Sequence, residues 1–338
     1  MARLQQRPED YTVGWVCALQ VELRAARAML DEEHEGPPIM DGNVYTFGRI
    51  QRHNVVVGCL PPGQYGTNRA TAVATRMMIT FPSMRLRFMV GIGGGVPGAD
   101  ADIRLGDVVV SKPVDNLPGV VQYDMGKRLP NGYQRTGCLA PPPELLLQAT
   151  SKLETSRSRR LLSSLLPHDF QRPNSQDILF KKVYNHIGGS TCKHCRRDRV
   201  LPRSKRTDKE PVVHYGTIAS GNLVMKDGVE RDRLRDQIGG LLCFEMEAAG
   251  LMNDFPCLVI RGICDYADTH KNKDWQPHAA GVAAAYTKEL LSVIPSIAEE
   301  IPHLVDHTFK AEKDLWQPTK AEQDRESSDY LAFHIETE

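Results

Sequence analysis

The chain of 338 residues has no apolar run near the length of a membrane span. Its N-terminus, Met1 to Asp10, is polar and contains no apolar signal core. These two absences point away from a membrane or secretory setting, and the expectation is a cytoplasmic protein. A surplus of charge is missing as well: Lys+Arg and Asp+Glu are both 42, so the formal net charge is zero. Such a balance exerts no global attraction on nucleic acid or on an anionic membrane. Neither is expected as a partner; a small, locally recognised substrate is. There is no GxxxxGK[ST] phosphate loop and no internal repeat. The eight cysteines are scattered, several of them inside apolar runs such as Trp15–Val16–Cys17 and Leu242–Cys243–Phe244. Buried reduced thiols fit that distribution better than a disulfide framework.

What is present is a chain that is 41% hydrophobic, enough for one large α/β domain with insertions or for two smaller domains. Strand formers fill 12–17, and Leu23, Ala26 and Leu30 recur at helical spacing over 20–30. Further strands are expected at 44–47, 55–60, 87–92 (stopping at Gly93–Gly94–Gly95), 107–110, 212–219, 241–244 and 257–264. Helices are expected at 68–78, 227–238, 246–253 and 279–294, the last Ala-rich and amphipathic. Strands alternating with helices argue for a largely parallel sheet covered on both faces. From about Ala140 to Glu210 the composition turns Ser-, Arg- and Lys-rich, which reads as an insertion, part helix and part charged loop. The domain expected is 11–300, with that insertion at about 141–210, followed by a polar tail at 301–338.

Acidic residues from three segments share one context. Glu22 follows the first strand, Glu245 and Glu247 follow the strand at 241–244, and Asp265 ends the strand at 257–264. Ligands of open α/β sheets bind at the carboxyl ends of strands, so three segments aim carboxylates at one edge. Each also has a plainer explanation. Acids early in a helix satisfy its dipole, and an Asp after a strand bonds turn amides. The stretch Gly91–Ile92–Gly93–Gly94–Gly95 permits close backbone approach by a ligand, but Val96 stands where GxGxxG needs its last glycine, which argues against a dinucleotide. Cys192–Lys193–His194–Cys195 is a single CxxC with His186 nearby. It could be part of a zinc site or simply two thiols in a loop. No second pair stands at ligand spacing, so no metal and no cofactor are assigned.

Four motifs in order resemble the nucleoside phosphorylase-I superfamily over about Tyr11 to Pro295. They are Gly14-Trp-Val-Cys-Ala-Leu-Gln-Val-Glu22-Leu23; Val90-Gly-Ile-Gly-Gly-Gly-Val96 with Leu105-Gly-Asp-Val-Val-Val-Ser111; Phe244-Glu-Met-Glu-Ala-Ala249; and Arg261-Gly-Ile-Cys-Asp-Tyr-Ala-Asp268. The flavour is that of fungal proteins in which this domain is often fused to NTPase or repeat domains, and no such fusion partner is expected within these residues. The resemblance implies a three-layer α/β fold with a twisted mixed or largely parallel central sheet flanked by helices. It also implies a homo-oligomer, dimer or trimer, acting on a purine nucleoside or nucleotide. Glu247, with Met246 and Glu245 beside it, takes the place that binds the ribose hydroxyls. Asp265 takes that of the acid protonating the purine, and Glu22 that of the carboxylate activating water. Asn222, Val224 and Met225 fall in the base-binding segment, and Gly93 and Gly94 in the glycine loop.

Those roles suit N-glycosidic cleavage, which builds positive charge on the ribose and negative charge on the departing base. Related phosphorylases hold phosphate with an Arg and a Ser at places occupied here by Met89 and Ile92, and Glu22 would repel a dianion. The expectation is therefore a nucleosidase, plausibly acting on adenosine or ATP. A phosphate-dependent phosphorylase, using for example Arg69 or Arg104, is the alternative within enzymes. A non-catalytic nucleoside sensor of a fungal defence system is the alternative outside them. A triphosphate would need cations, and the run Arg196, Arg197, Arg199, Arg203, Lys205 and Arg206 would supply them if its loop folded over the mouth.

Overall fold

All five residues of β1 (Val13–Cys17) are buried, as expected of a central parallel strand whose two faces are covered. In a computed structural model of the protein, residues 6–295 are described, apart from 131 and 157–160. Strand β1 leads into α1 (Gln20–Met29). A meander follows: β2 (Glu32–His34), β3 (Tyr45–Ile50) and β4 (His53–Cys59). Next come α2 (Thr67–Thr80), β5 (Leu86–Gly95), β6 (Val108–Ser111), β7 (Val120–Gln122), β8 (Gly126–Leu129), β9 (Gly132–Arg135) and α3 (Glu144–Glu154). The chain then passes through short 3-10 turns to β10 (Val213–Ser220), α4 (Gly228–Ile238), β11 (Leu241–Glu245), β12 (Leu258–Asp265) and α5 (Gln276–Ser292).

Ten strands form one mixed sheet in the order β11-β10-β6-β12-β5-β1-β4-β3-β2, with β7 beside β10. Strand β11 also pairs with β5, antiparallel at Phe244 and Gly94, so β11, β10, β6, β12 and β5 close into a ring. The β1–β4, β1–β5, β5–β12 and β10–β11 pairs are parallel. The β12–β6, β2–β3 and β3–β4 pairs are antiparallel. The α/β fold is thus as expected, with more antiparallel pairing than a strict βα alternation would produce.

Three local expectations are corrected. Strand β5 does not stop at Gly93 but runs through Gly95, because β12 and β11 both continue to pair with it there. No helix occupies 246–253; the chain makes only a 3-10 turn at Ala248–Gly250. Helix α5 is not two-faced: 13 of its residues are buried, Thr287 and Glu289 among them, where it packs on β12, β5 and α1. The expected polar tail at 301–338 lies outside the described residues. No helix among the described residues is long and apolar enough to cross a membrane.

Candidate active site

The parallel strands deliver their acids to one place. A cavity of about 530 Å³ is lined by Glu22 from the start of α1, Ile92 to Gly94 from β5, Phe244 to Glu247 from β11 and its exit, and Arg261, Cys264 and Asp265 from β12. The β10–α4 loop adds Val224 and Met225, and the loop after β12 adds Lys271 and Lys273.

Glu22 is fixed by backbone donors. Its Oε2 accepts from the amides of Ala18 (2.7 Å) and Leu19 (2.9 Å), and its Oε1 from that of Ile92 (2.7 Å). Burial raises its pKa; Arg261 and the three amides oppose that rise. Gly91 makes the arrangement possible, because a Cβ there would stand 2.3 Å from Glu22 Oε1 and 2.6 Å from Arg261 Nη1.

Arg261, 1% exposed, is the hub of the deep end. Its guanidinium bonds Glu245 through Nη2 and lies 3.5 Å from Glu247 Oε2, while Nη1 reaches the Ile92 carbonyl at 3.4 Å. Burial works against its charge, yet Glu245, Glu247 and Glu22 hold it above its ordinary value. Glu245 turns inward, accepting from the amides of Glu247 and Ala248 at 3.1 Å as well as from Arg261. Glu247 keeps one weak backbone partner, the Gly66 amide at 3.3 Å, ahead of α2. Burial pushes its carboxyl from 4.5 up to about 7; Arg261 pulls the other way, and Glu245 and Glu22 add to the rise.

Asp265 is less deeply set. Its Oδ1 accepts from the Ala267 amide at 2.8 Å and faces Lys271 Nζ at 3.0 Å. Burial works against the Lys271 ammonium, but Asp265 and Cys264 hold its pKa above the ordinary value. A Cβ at Gly94 would come within 2.8 Å of Asp265 Oδ1, so this glycine keeps the carboxylate's space open.

The structure therefore brings Glu22, Gly93, Gly94, Val224, Met225, Glu245, Met246, Glu247 and Asp265 to one cavity. Asn222 stands beside it, its Oδ1 accepting from the Thr67 amide (3.1 Å) and hydroxyl (3.0 Å). In the sequence Arg261 stands out only as part of a motif, and Lys271 carries no signal of its own. The basic run does not close the mouth. Arg203 pairs with Asp177 at 2.8 Å, and Arg206 pairs with buried Asp107 at 2.5 Å. Burial works to raise the Asp107 pKa, but Arg206 and His214 hold it below its ordinary value. Arg196 pairs with neighbouring Asp198 at 2.8 Å. Among the described residues, the cations that line the cavity besides Arg261 are Lys226, Lys271 and Lys273. Met89 is fully buried, and neither Arg69, exposed on α2, nor Arg104, paired with Asp102, stands on the cavity lining.

Comparison with known proteins shows the family and agrees with the fold. The model of the phosphorylase superfamily matches residues 12–292. A nucleotide-binding leucine-rich repeat (NLR)-like protein of the fungus Hyaloscypha variabilis is 48% identical over 313 residues, covering 89% of this chain and 31% of its own length. The ATP nucleosidase Cap17 of Escherichia coli is 26% identical, over 85% of this chain and 52% of its own. The chain thus spans about a third to a half of these two relatives. Among solved structures, the 5'-methylthioadenosine/S-adenosylhomocysteine nucleosidase of Neisseria meningitidis superimposes with a TM-score of 0.55 at 15% identity, covering 84% of this chain and 99% of that one.

Proposed function

The chain belongs to the phosphorylase superfamily, and from that premise we propose that it hydrolyses the N-glycosidic bond of a purine nucleoside or nucleotide, releasing the free base. The observation that carries this reading is the fixed carboxylate of Glu22. Three backbone amides orient it, and burial raises its basicity, both of which suit a general base. Oε1 takes a single amide, so it retains a lone pair for a water molecule. The acid-rich deep end, Glu22, Glu245 and Glu247 around one arginine, favours the cationic ribosyl transition state and disfavours a phosphate dianion.

In this reading Glu247 accepts the ribose hydroxyls, and Val224 and Met225 pack the base. Asp265, in its protonated form, delivers the proton to the departing purine, and the Lys271 ammonium beside it offsets the negative charge left on its carboxylate. The substrate is an adenine nucleoside or nucleotide, ATP in particular. Lys226 and Lys273 on the cavity lining supply cations for a 5'-phosphate chain, and one relative is an ATP nucleosidase by name. The catalytic domain is 11–300 including the insertion. A cytoplasmic setting suits the eight free thiols.

The direct test is release of free adenine from ATP and from adenosine, each with and without phosphate. Adenine release in phosphate-free buffer is expected. Release only with phosphate would reassign the chain as a phosphorylase, and no release from either would leave a substrate with another base or a nucleoside-binding module, the role that a likeness to an NLR-like protein also allows.

A further inference from the structure

One cluster of side chains takes no part in that chemistry. Cys192 and Cys195 flank a 3-10 turn of the insertion and are both free thiols. His186 Nδ1 lies 3.7 Å from Cys192 Sγ and 3.4 Å from Cys195 Sγ. The other ring nitrogen of His186, Nε2, is 3.1 Å from the Gly189 carbonyl. A carbonyl only accepts, so Nε2 carries the proton and Nδ1 presents its lone pair to both sulfurs. His270 enters from the loop after β12. Its side chain is 6% exposed; Nδ1 faces Asp268 Oδ1 at 3.5 Å, and Nε2 has no hydrogen-bond partner among the described residues. A buried imidazole left so is costly unless something else uses its lone pair. One ligand atom each from His186, Cys195 and His270 lie within 4.8 Å of one another.

We propose that Cys192, Cys195, His186 and His270 bind one zinc ion, which ties the insertion to the loop that follows β12. Two thiolates and two imidazoles are a tetrahedral zinc donor set with all four positions filled by protein, as in structural rather than catalytic sites. With Zn–S of about 2.3 Å and Zn–N of about 2.0 Å, a sulfur and a nitrogen on one tetrahedral ion stand roughly 3.5 Å apart. The His186–cysteine distances of 3.4 and 3.7 Å bracket that value. Outer partners are in place too: the Gly189 carbonyl behind His186, and Asp268 Oδ1 at 3.5 Å from His270 Nδ1. The His270 ring is seated by stacking on Phe180, centroids 4.1 Å apart. Binding would release the two thiol protons, and the thiolates would neutralise the ion's charge. His270 directly precedes Lys271, the partner of Asp265, so the ion would hold the loop that carries both.

The test uses the full chain, tag removed, purified without chelators and kept reduced. Elemental analysis is expected to find about one zinc per chain. Exchange with Co(II) is expected to produce the visible bands of a tetrahedral thiolate-ligated cobalt. Cys195→Ser and His270→Ala should each lose the metal, while His194→Ala, an exposed histidine in the same turn, should keep it. Wild-type chain that holds no zinc and takes up no Co(II) overturns the site even if the variants fail to fold. So does zinc retained in full by both folded ligand variants.

Discussion

At the deep end of the cavity Glu22, Glu245 and Glu247 crowd a single guanidinium, whereas at its shallower side Asp265 has the Lys271 ammonium beside it. The deep group is set by the sheet: Glu22 hangs on amides of the β1–α1 junction and of β5, and Arg261 stands on β12. The shallow pair depends on a loop, 266–271, that comes after the last strand. Burial raises Glu22 and Glu247, and for Glu247 the neighbouring Glu245 and Glu22 add to the rise. Changes at the deep end should therefore disturb fold and chemistry together, and changes at the shallow side chemistry alone.

The largest expected effect separates the two ends by the bond each assists. Glu22→Gln should lower kcat by about 10³-fold, the size of a lost general base. Asp265→Asn should lower it by about 10²-fold on adenosine or ATP. A ribosyl substrate whose leaving group needs no proton, such as a nitrophenyl riboside, should restore Asp265→Asn to near wild-type rate but leave Glu22→Gln slow. Equal rescue of both variants would erase the distinction of roles.

Arg261 comes next. Replacing it with Met leaves buried carboxylates without their counter-ion, which should cost about 3–5 kcal/mol in denaturant unfolding. Lys271→Met should cost far less, because Asp265 keeps the Ala267 amide. Similar losses at the two positions would break the contrast.

How much of this was legible depends on where each signal lies. Glu22, Glu247 and Asp265 stand at strand ends, and strand ends can be found from apolar runs, so three of the acids could be placed at one edge. Arg261 sits inside the run Leu258–Cys264, where pattern says only that the strand is buried; nothing local shows that its guanidinium meets three glutamates. Lys271 belongs to a polar stretch that reads as solvated loop. The helix expected at 246–253 failed because tertiary partners decide that segment: Glu245 takes two amides and Ser220 Oγ a third, from Ala249 at 2.8 Å. The basic run pointed to phosphate by composition, but composition is blind to Asp107 and Asp177, which absorb two of its arginines. The CxxC lacked a second pair in sequence because His270 is brought to it by folding alone.

A pH series sharpens the comparison. The Glu247 carboxyl is raised from 4.5 to about 7, so between those values the folded state holds a proton that the unfolded chain has released. Stability should fall as pH rises through that window, and Glu247→Gln should flatten the slope. For catalysis the sign reverses, because an ionised Glu247 is the better acceptor for ribose hydroxyls. The kcat/KM should rise toward a plateau above about pH 7, changing about tenfold per pH unit on the acid side. A wild-type profile with no limb near 7 would remove Glu247 from ribose binding.

The smallest effect concerns a residue at the border of the cavity. Asn222 belongs to the segment assigned to the base by sequence resemblance, yet its Oδ1 accepts from the amide and hydroxyl of Thr67, and its backbone N–H donates to Asp124 Oδ2 at 2.7 Å. It satisfies a donor at the first residue of α2, the same helix start from which Gly66 reaches Glu247. Asn222→Ala should thus cost about 1 kcal/mol of stability, as for a lost helix cap, with kcat intact and KM little changed. The opposite split, KM raised severalfold with unfolding unmoved, would put the Asn222 amide on the substrate and extend the loop-built side of the cavity by one contact.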